Sequence, residues 1–444
     1  MKKKKIKRVV NFQKIFCFVS LVFILVCCLW YGGRFVYFYL ENKKDTEIAS
    51  NSLSTDIINN HAKSDGFKSI NGSYYFVGNV SDNYVRYSNI LWRIVKIDQN
   101  NKIYLISDHS LTSLAYGEDV SDYEQSYIHK WLNKDDDEYS GIIENNLNNV
   151  SNYLSKYNVC VDKIDDASNV GCNEEFSEDY IGLLSIIDYV NTGGRDSFIN
   201  NGEYVYLSNG TKDQEIWYIN SDGKLDKSDG DDLYGVKPVI SLNSNIKSSS
   251  GDGSKDNPYV IDSESALFGS YVKLGDDIWR IYEVHENNVK MMLNDYLMVD
   301  DEKLSYGYSK KNYYHNDTVY GSLAYYLNHT YLNGLSYKDN IVSENYANGY
   351  YDSDYDYTKI LDTTIDTKVS VISVGNVMLN YEMDGVWTNT GVSEGSEMVF
   401  TIKKSGSLSG KSVTSNAYVV PCISINKDIL TKGNGTIDSP YEME

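Results

Sequence analysis

Cys160 and Cys172 stand twelve residues apart in a polar stretch and are the side chains best placed for covalent chemistry. No CxxC spacing or paired histidines accompany them, so they do not read as a zinc site. In an oxidising compartment they predict a disulfide closing a short loop, worth about 3 kcal/mol at most. The other four cysteines read differently. Cys17, Cys27 and Cys28 lie in an apolar run, where they are inert or palmitoylated, and Cys422 stands among apolar neighbours as a small hydrophobe. His61, His109, His129, His285, His315 and His329 share no ligand spacing and no HExxH, so no metal is expected from them.

Acidic clusters invite a calcium reading and fail it. Asp222, Asp226, Asp229, Asp231 and Asp232 share one Gly-bearing loop, and Asp352, Asp354 and Asp356 alternate. In the second group Tyr357 takes the place where the sharp turn of an EF-hand loop needs Gly. Solvated loops are the better reading. There is also no nucleophile elbow, no P-loop and no GxGxxG after a strand, so no catalytic residue or cofactor is expected. What remains is contact chemistry. The chain has 41 tyrosines, which suit carbohydrate or protein recognition because they offer large area at small entropic cost, although an AT-rich coding bias gives the same count. Trp92, Trp131 and Trp279 sit among apolar residues and are expected in the core. Tyr206, Trp217 and Trp387 are expected on an exposed rim, and Lys237 joins them as a candidate binding residue.

Charge and hydropathy say where such contacts would be made. Residues 1–40 hold eight Lys or Arg and no acid, leaving 33 basic against 62 acidic groups in the rest of the chain. A polyanion of that size repels phosphate backbones, which excludes sequence-independent nucleic-acid binding. Nineteen uncharged residues, Ile15 to Gly33, would span about 28 Å as a helix, close to the hydrocarbon thickness of a bilayer. A basic tail at 1–14 and a transmembrane anchor at 15–38 therefore predict a single-pass protein in the cell membrane, with a cytoplasmic N-terminus and an extracellular bulk. A cleaved signal peptide would want a shorter apolar run ending in small-x-small, whereas Val26 to Trp30 is bulky. The polar residues 39–65 read as a juxtamembrane tether.

Beyond the tether the chain repeats itself. Lys237-Pro238-Val239-Ile240-Ser241-Leu242-Asn243 returns 183 residues later as Val420-Pro421-Cys422-Ile423-Ser424-Ile425-Asn426. The block Gly251 to Tyr259 returns as Gly433 to Tyr441, both G-[DN]-G-[ST]-x-D-[NS]-P-Y. The openings match as well: Tyr84-Val85 before Trp92-Arg93-Ile94, and Tyr271-Val272 before Trp279-Arg280-Ile281. In between, Trp131-Leu132-Asn133 resembles Tyr326-Leu327-Asn328. The unit is domain-sized, giving module 1 at 66–262 and module 2 at 263–444. In each module a hairpin (Ile90 to Ile106, Ile278 to Leu293), a helix at W-L-N and late strands predict an α+β fold of two tandem mixed modules.

This order of motifs, Y-V-x(6)-W-R-I, S-x-[IL]-x-x-[WY]-L-N, Y-G-V-K-P-V-I-S-L and G-D-G-S-x-D-x-P-Y, resembles a tandem surface-domain family of low-GC Gram-positive bacteria whose biochemical role is not established. It is also similar to the C-type-lectin-like fold of bacterial surface adhesins and formylglycine-generating enzymes. The resemblance implies a membrane-anchored surface protein, adhesin-like or interacting with glycan, cell wall or a protein ligand. An extracellular enzyme acting on envelope polymers and a structural spacer are the alternatives. Module 2 departs from the motif where Lys237 becomes Val420, and it also lacks the acidic turn from Asp222 to Asp232 and the loop with Cys160 and Cys172. Module 1 is therefore expected to carry any ligand, the alternative being that both modules bind and gain avidity.

Overall fold

The computed structural model describes residues 52–443 except 118–119, 134–140, 142–145, 169–170, 173–174, 262–266, 311–314, 352–355, 362, 380–382 and 405–406. The expected tail 1–14, anchor 15–38 and residues 39–51 of the tether lie outside the described residues, as do Asp352 and Asp354. Among the described residues no helix is long and apolar enough to cross a membrane. The fold is α+β and rich in strands.

A meander opens the first half: β1 (Tyr84–Tyr87), β2 (Ile90–Ile97) and β3 (Ile103–Ser107), each antiparallel to the next. β2 carries Ile90, Trp92, Ile94, Val95 and Ile97, all buried, because both faces of this strand are covered. The β2–β3 turn is set by Asp98, whose Oδ1 accepts from the backbone of Asn100 and Lys102, with Asn101 in the left-handed region that Asn tolerates. The chain then makes a long excursion through β4 (Thr112–Leu114), β5 (Val205–Gly210), β6 (Ile216–Ile219), β7 (Leu225–Ser228) and β8 (Tyr234–Val236). These five form a smaller sheet in the order β7-β6-β5-β8-β4. After Pro238 the chain re-enters the first sheet as β9 (Val239–Leu242), antiparallel to β3 with Val239 opposite Ile106. It finishes as β10 (Tyr259–Val260), parallel to β1.

The second half repeats this plan with β11 (Tyr271–Leu274), β12 (Asp277–Val284), β13 (Asn288–Leu293), β14 (Ser305–Gly307), β15 (Val386–Gly391), β16 (Met398–Ile402), β17 (Leu408–Ser412), β18 (Asn416–Tyr418), β19 (Pro421–Asn426) and β20 (Tyr441–Met443). Its large sheet contains β20-β11-β12-β13-β19, and its small sheet runs β17-β16-β15-β18-β14. Even the irregularities recur. β2 shifts register between Ile94 and Lys96 and β12 between Ile281 and Glu283; β5 shifts between Tyr206 and Gly210 and β15 between Trp387 and Gly391. A one-residue slip inverts every later side chain, so a bulge kept in place keeps the same residues facing the core.

The repeated motifs have local physical work. The W-L-N asparagine is an amide clamp: Asn133, closing helix Tyr127–Asn133, donates to Ile181 O and accepts from Ile181 N–H, and Asn328 does the same to Val369. Ile181 and Val369 lie on the short strands that flank β9 and β19. The glycine block brings a carbonyl to each opening strand, with Tyr84 N–H donating to Gly253 O and Tyr271 N–H to Gly435 O. Gly253 has φ +86°, and a Cβ there would meet Asp82 O at 2.6 Å, so only glycine fits.

Two features differ from the sequence expectations. Residues 52–65 are not tether. Helix Leu53–His61 buries Leu53 and Ile57, places His61 edge-on to Phe76, and hydrogen-bonds through Leu53 N–H to Ile246 O. An apolar residue every fourth position is enough to dock a helix that is otherwise polar. The halves are also joined by buried contacts. Trp131, fully buried, donates through Nε1 to Gly375 O at 2.7 Å, and Met378 N–H donates to Leu111 O at 2.6 Å. Val374, Val377, Met378 and Leu379 are all buried, in the place where the first half has helix Ile186–Asn191.

Trp131→Ala should therefore cost about 3–5 kcal/mol in urea denaturation, as large aromatic truncations in a core do. Trp131→Phe, which keeps most of the packing but leaves the Gly375 carbonyl without its donor, should cost about 1–3 kcal/mol. A loss below 1 kcal/mol for Trp131→Ala would show that the halves do not depend on this contact.

Candidate functional site

β14 is the edge strand of the second half's small sheet, and an open cleft of about 480 Å³ runs along it. Ser305, Tyr306 and Gly307 of β14 form one wall; Ser309, Thr414 and Asn416 add hydroxyl and amide groups, and Lys310 and Gly321 complete the lining. The Tyr306 ring stacks on Tyr326, centroids 5.0 Å apart and planes 29° from parallel. Burial and the neighbouring Tyr306 phenol push the Tyr326 hydroxyl above its ordinary pKa, so it stays a neutral donor and acceptor. Beside the cleft Tyr320 is 76% exposed, edge-on to Tyr325 at 5.2 Å, and Tyr325 in turn stacks on His329 at 4.3 Å. Gly321 has φ +81°, and a Cβ there would press on Lys310 Nζ and Cε at 3.3 Å. The lining offers one aromatic face, several neutral hydrogen-bonding groups and one cation. Its volume is that of a small-ligand site.

Tyr326 corresponds to Trp131, and β14 to β4. In the first half Trp131 is fully buried and donates to Gly375 O of the second half. Tyr326 is half-buried and stacked on Tyr306.

The sequence-predicted binding residues fall elsewhere, and the expected rim is corrected. Tyr206 and Trp387 are fully buried, and Trp217 is 7% exposed. Tyr206 donates its hydroxyl to Asp232 O, and Trp217 Nε1 donates to Ile164 O. Their strands β5, β6 and β15 are buried at every position, so these aromatics have no solvent face. Trp387 still bears on the cleft: its Nε1 donates to Tyr306 O at 2.8 Å and fixes that backbone from beneath. Lys237 is not a surface contact either. It is 1% exposed, with Nζ 3.3 Å from Glu203 Oε2 and 3.2 Å from Ile199 O.

Glu203 gathers a buried polar cluster around that lysine. Its Oε1 lies 2.9 Å from His109 Nδ1, and its Oε2 accepts from Ser110 N–H and Ser110 Oγ. Burial alone would raise its carboxyl, but Lys237 and the His109 and Ser110 hydrogen bonds outweigh it and hold the pKa down at about 2. Because Ser110 Oγ bonds Glu203 and not His109, the group is no Ser-His catalytic pair. His109 also borders a smaller space of about 120 Å³ between the halves, with Arg86, Asp108 and Arg280. Arg280 is engaged there, donating to Gly269 O and Leu379 O of its own half and to Asn89 O of the other.

Cys160 and Cys172 are joined as a disulfide, Cα atoms 5.9 Å apart, and Cys422 is buried. Together with Asp162 they are the only grouping among the described residues with metal-ligating proximity, but their sulfurs are bonded to each other and offer no thiolate. In the acidic loop, Asp226 Oδ1 accepts from Lys227 N–H and Asp232 Oδ2 from Ser228 Oγ.

Tyr306, Tyr320, Tyr326 and Lys310 were not singled out by sequence reasoning. The only sequence signal was the density of tyrosine around Tyr306-Gly307-Tyr308 and Tyr325-Tyr326, which does not say which rings face solvent. Comparison with family models, curated proteins and solved structures finds no match to the chain.

The buried ionisable groups predict acid sensitivity in two steps. Burial pushes the His315 imidazole down to about 4, so the unfolded chain binds its proton first and stability falls as pH drops from about 6.5 to 4. Glu203, also lower in the folded state, adds a second loss as pH falls from about 4.5 to 2. Each step amounts to about 3 kcal/mol at most. Urea midpoints between pH 7 and 4 should decline, and His315→Gln, which keeps a donor for Val369 O, should flatten the decline above pH 4.5. A profile unchanged by that substitution would contradict the assignment.

Proposed function

We propose that the protein is a membrane-anchored, single-pass cell-surface binding protein, adhesin-like or interacting with cell-wall glycan. In this reading residues 15–38 hold it in the bilayer with the N-terminus inside, and the described halves, acting as C-type-lectin-like modules of the tandem surface-domain family, meet their ligand outside. The observation that carries the reading is the second-half cleft, where the stacked Tyr306 and Tyr326 stand beside Ser309, Thr414 and Asn416. A flat aromatic face beside fixed hydroxyl and amide groups suits a sugar ring, which has an apolar C–H face and a rim of hydroxyls. The first-half tyrosines suit it less. Tyr234 packs against three rings, Tyr204 and Tyr206 at 5.2 Å and Tyr218 at 4.6 Å, whereas among the described residues Tyr306 has one ring neighbour, Tyr326.

Residues 52–444, a compact unit separate from the anchor, should be retained by isolated cell envelopes, and Tyr306→Ala and Tyr320→Ala should each weaken that retention about tenfold, or 1.4 kcal/mol. Tyr320 is exposed, so Tyr320→Ala should leave the melting temperature unchanged and separate binding from folding. Retention undiminished in both variants would remove the cleft from the account. Release of soluble sugar fragments would favour the enzyme, and absence of retention would favour the spacer.

A further inference from the structure

The cleft's charge is out of character with the rest of the chain. Past residue 40 the sequence carries 62 acidic against 33 basic groups, yet among the described residues the cleft lining contains no acid and one cation, Lys310. Lys310 is exposed and has no ion pair among the described residues, and its Nζ lies 6.0 Å from the centroid of the exposed Tyr320 ring. Gly321 leaves room beside it: a Cβ there would come within 3.3 Å of Lys310 Nζ, which would have to give by a few tenths of an ångström, and φ +81° disfavours a side chain on backbone grounds.

From this we infer that Lys310 is a specificity-determining residue that selects a saccharide bearing an anionic group over a neutral one. The inference rests on the saccharide reading of the cleft and adds the ligand's charge to it. An ammonium on a flexible stem, held near an aromatic face and facing no carboxylate of its own, gains most from a ligand whose negative group projects beside the stacked ring. In the surrounding polyanion the same lysine offsets the repulsion that an acidic ligand would otherwise meet, so the preference should weaken with salt. The shared ligand chemistry is a polyhydroxylated ring or chain with one carboxylate or phosphate per repeat.

Calorimetric titration of the intact protein with chitotetraose, which is neutral, and hyaluronan tetrasaccharide, which carries carboxylates, tests it. At 50 mM salt the acidic sugar should bind about tenfold more tightly, and the ratio should shrink at 0.5 M. Lys310→Gln should bring the ratio to about one, Lys310→Arg should restore most of it, and Lys310→Glu should invert it. Competition by a glycerol phosphate oligomer against the acidic sugar would identify phosphate as an equivalent anion and support the same assignment. Equal affinity for the two sugars in the unsubstituted protein, or a preference that survives in Lys310→Gln, overturns the inference while leaving saccharide binding in place. Failure to bind either sugar overturns it together with the saccharide reading.

Discussion

The architecture depends on one long-range pairing made twice. In each half the second strand of the opening hairpin pairs with a strand more than 130 residues further along, β3 with β9 through Val239 and Ile106, and β13 with β19 through Ile423 and Met291. Until that pairing forms, the hairpin presents an apolar edge and the intervening chain has nothing to dock on. Once it forms, the small sheet, the W-L-N helix and the loops become excursions between two fixed ends. Asn133 and Asn328 then tie the helix to the strand flanking the closing one. Such non-local closure makes folding slow, and it leaves the excursions free to vary while the frame stays constant.

The two copies have used that freedom differently. In the first, Arg93 is an internal brace, donating to Asn83 Oδ1, Val80 O and Tyr84 OH. Its counterpart Arg280 crosses to the other half and holds Asn89 O. The first copy buries Lys237 against Glu203, whereas the second has Val420, 1% exposed, at the lysine position. Replacing a buried ion pair by an apolar side chain of fitting volume often leaves stability unharmed, so the frame does not require the pair. The expectation that module 1 carries the ligand rested on Lys237, on the acidic turn from Asp222 to Asp232 and on the loop with Cys160 and Cys172. Burial of Lys237 removes the first of these grounds, and the open cleft lies in the other copy.

Much of the frame was legible because repetition and periodicity both report it. Trp92, Trp279 and Trp131 stood among apolar residues and are buried, and the hairpin turns fell at Asn-bearing steps. The helix at 53–61 was missed because three inward residues, Leu53, Ile57 and His61, are spread through a polar sequence. Tyr206, Trp217 and Trp387 were misplaced for the opposite reason. An aromatic in a strand gives no hint of whether its second face is covered, and here strands β5, β6 and β15 are buried on both sides. The cleft was the least legible feature. It lies along the edge strand β14, and no local motif marks which edge of a sheet is left open.

The central claim is that the protein meets its ligand through the second-half cleft. Hydroxyl-radical footprinting of residues 52–444, free and bound to isolated envelopes, tests it most directly because tyrosine rings are the reporters. The account predicts protection of Tyr306, Tyr320 and Tyr326 on binding, with Tyr204 and Tyr234 of the first half unchanged. Protection confined to the first half, or bound protein with Tyr320 as reactive as in the free state, would contradict it.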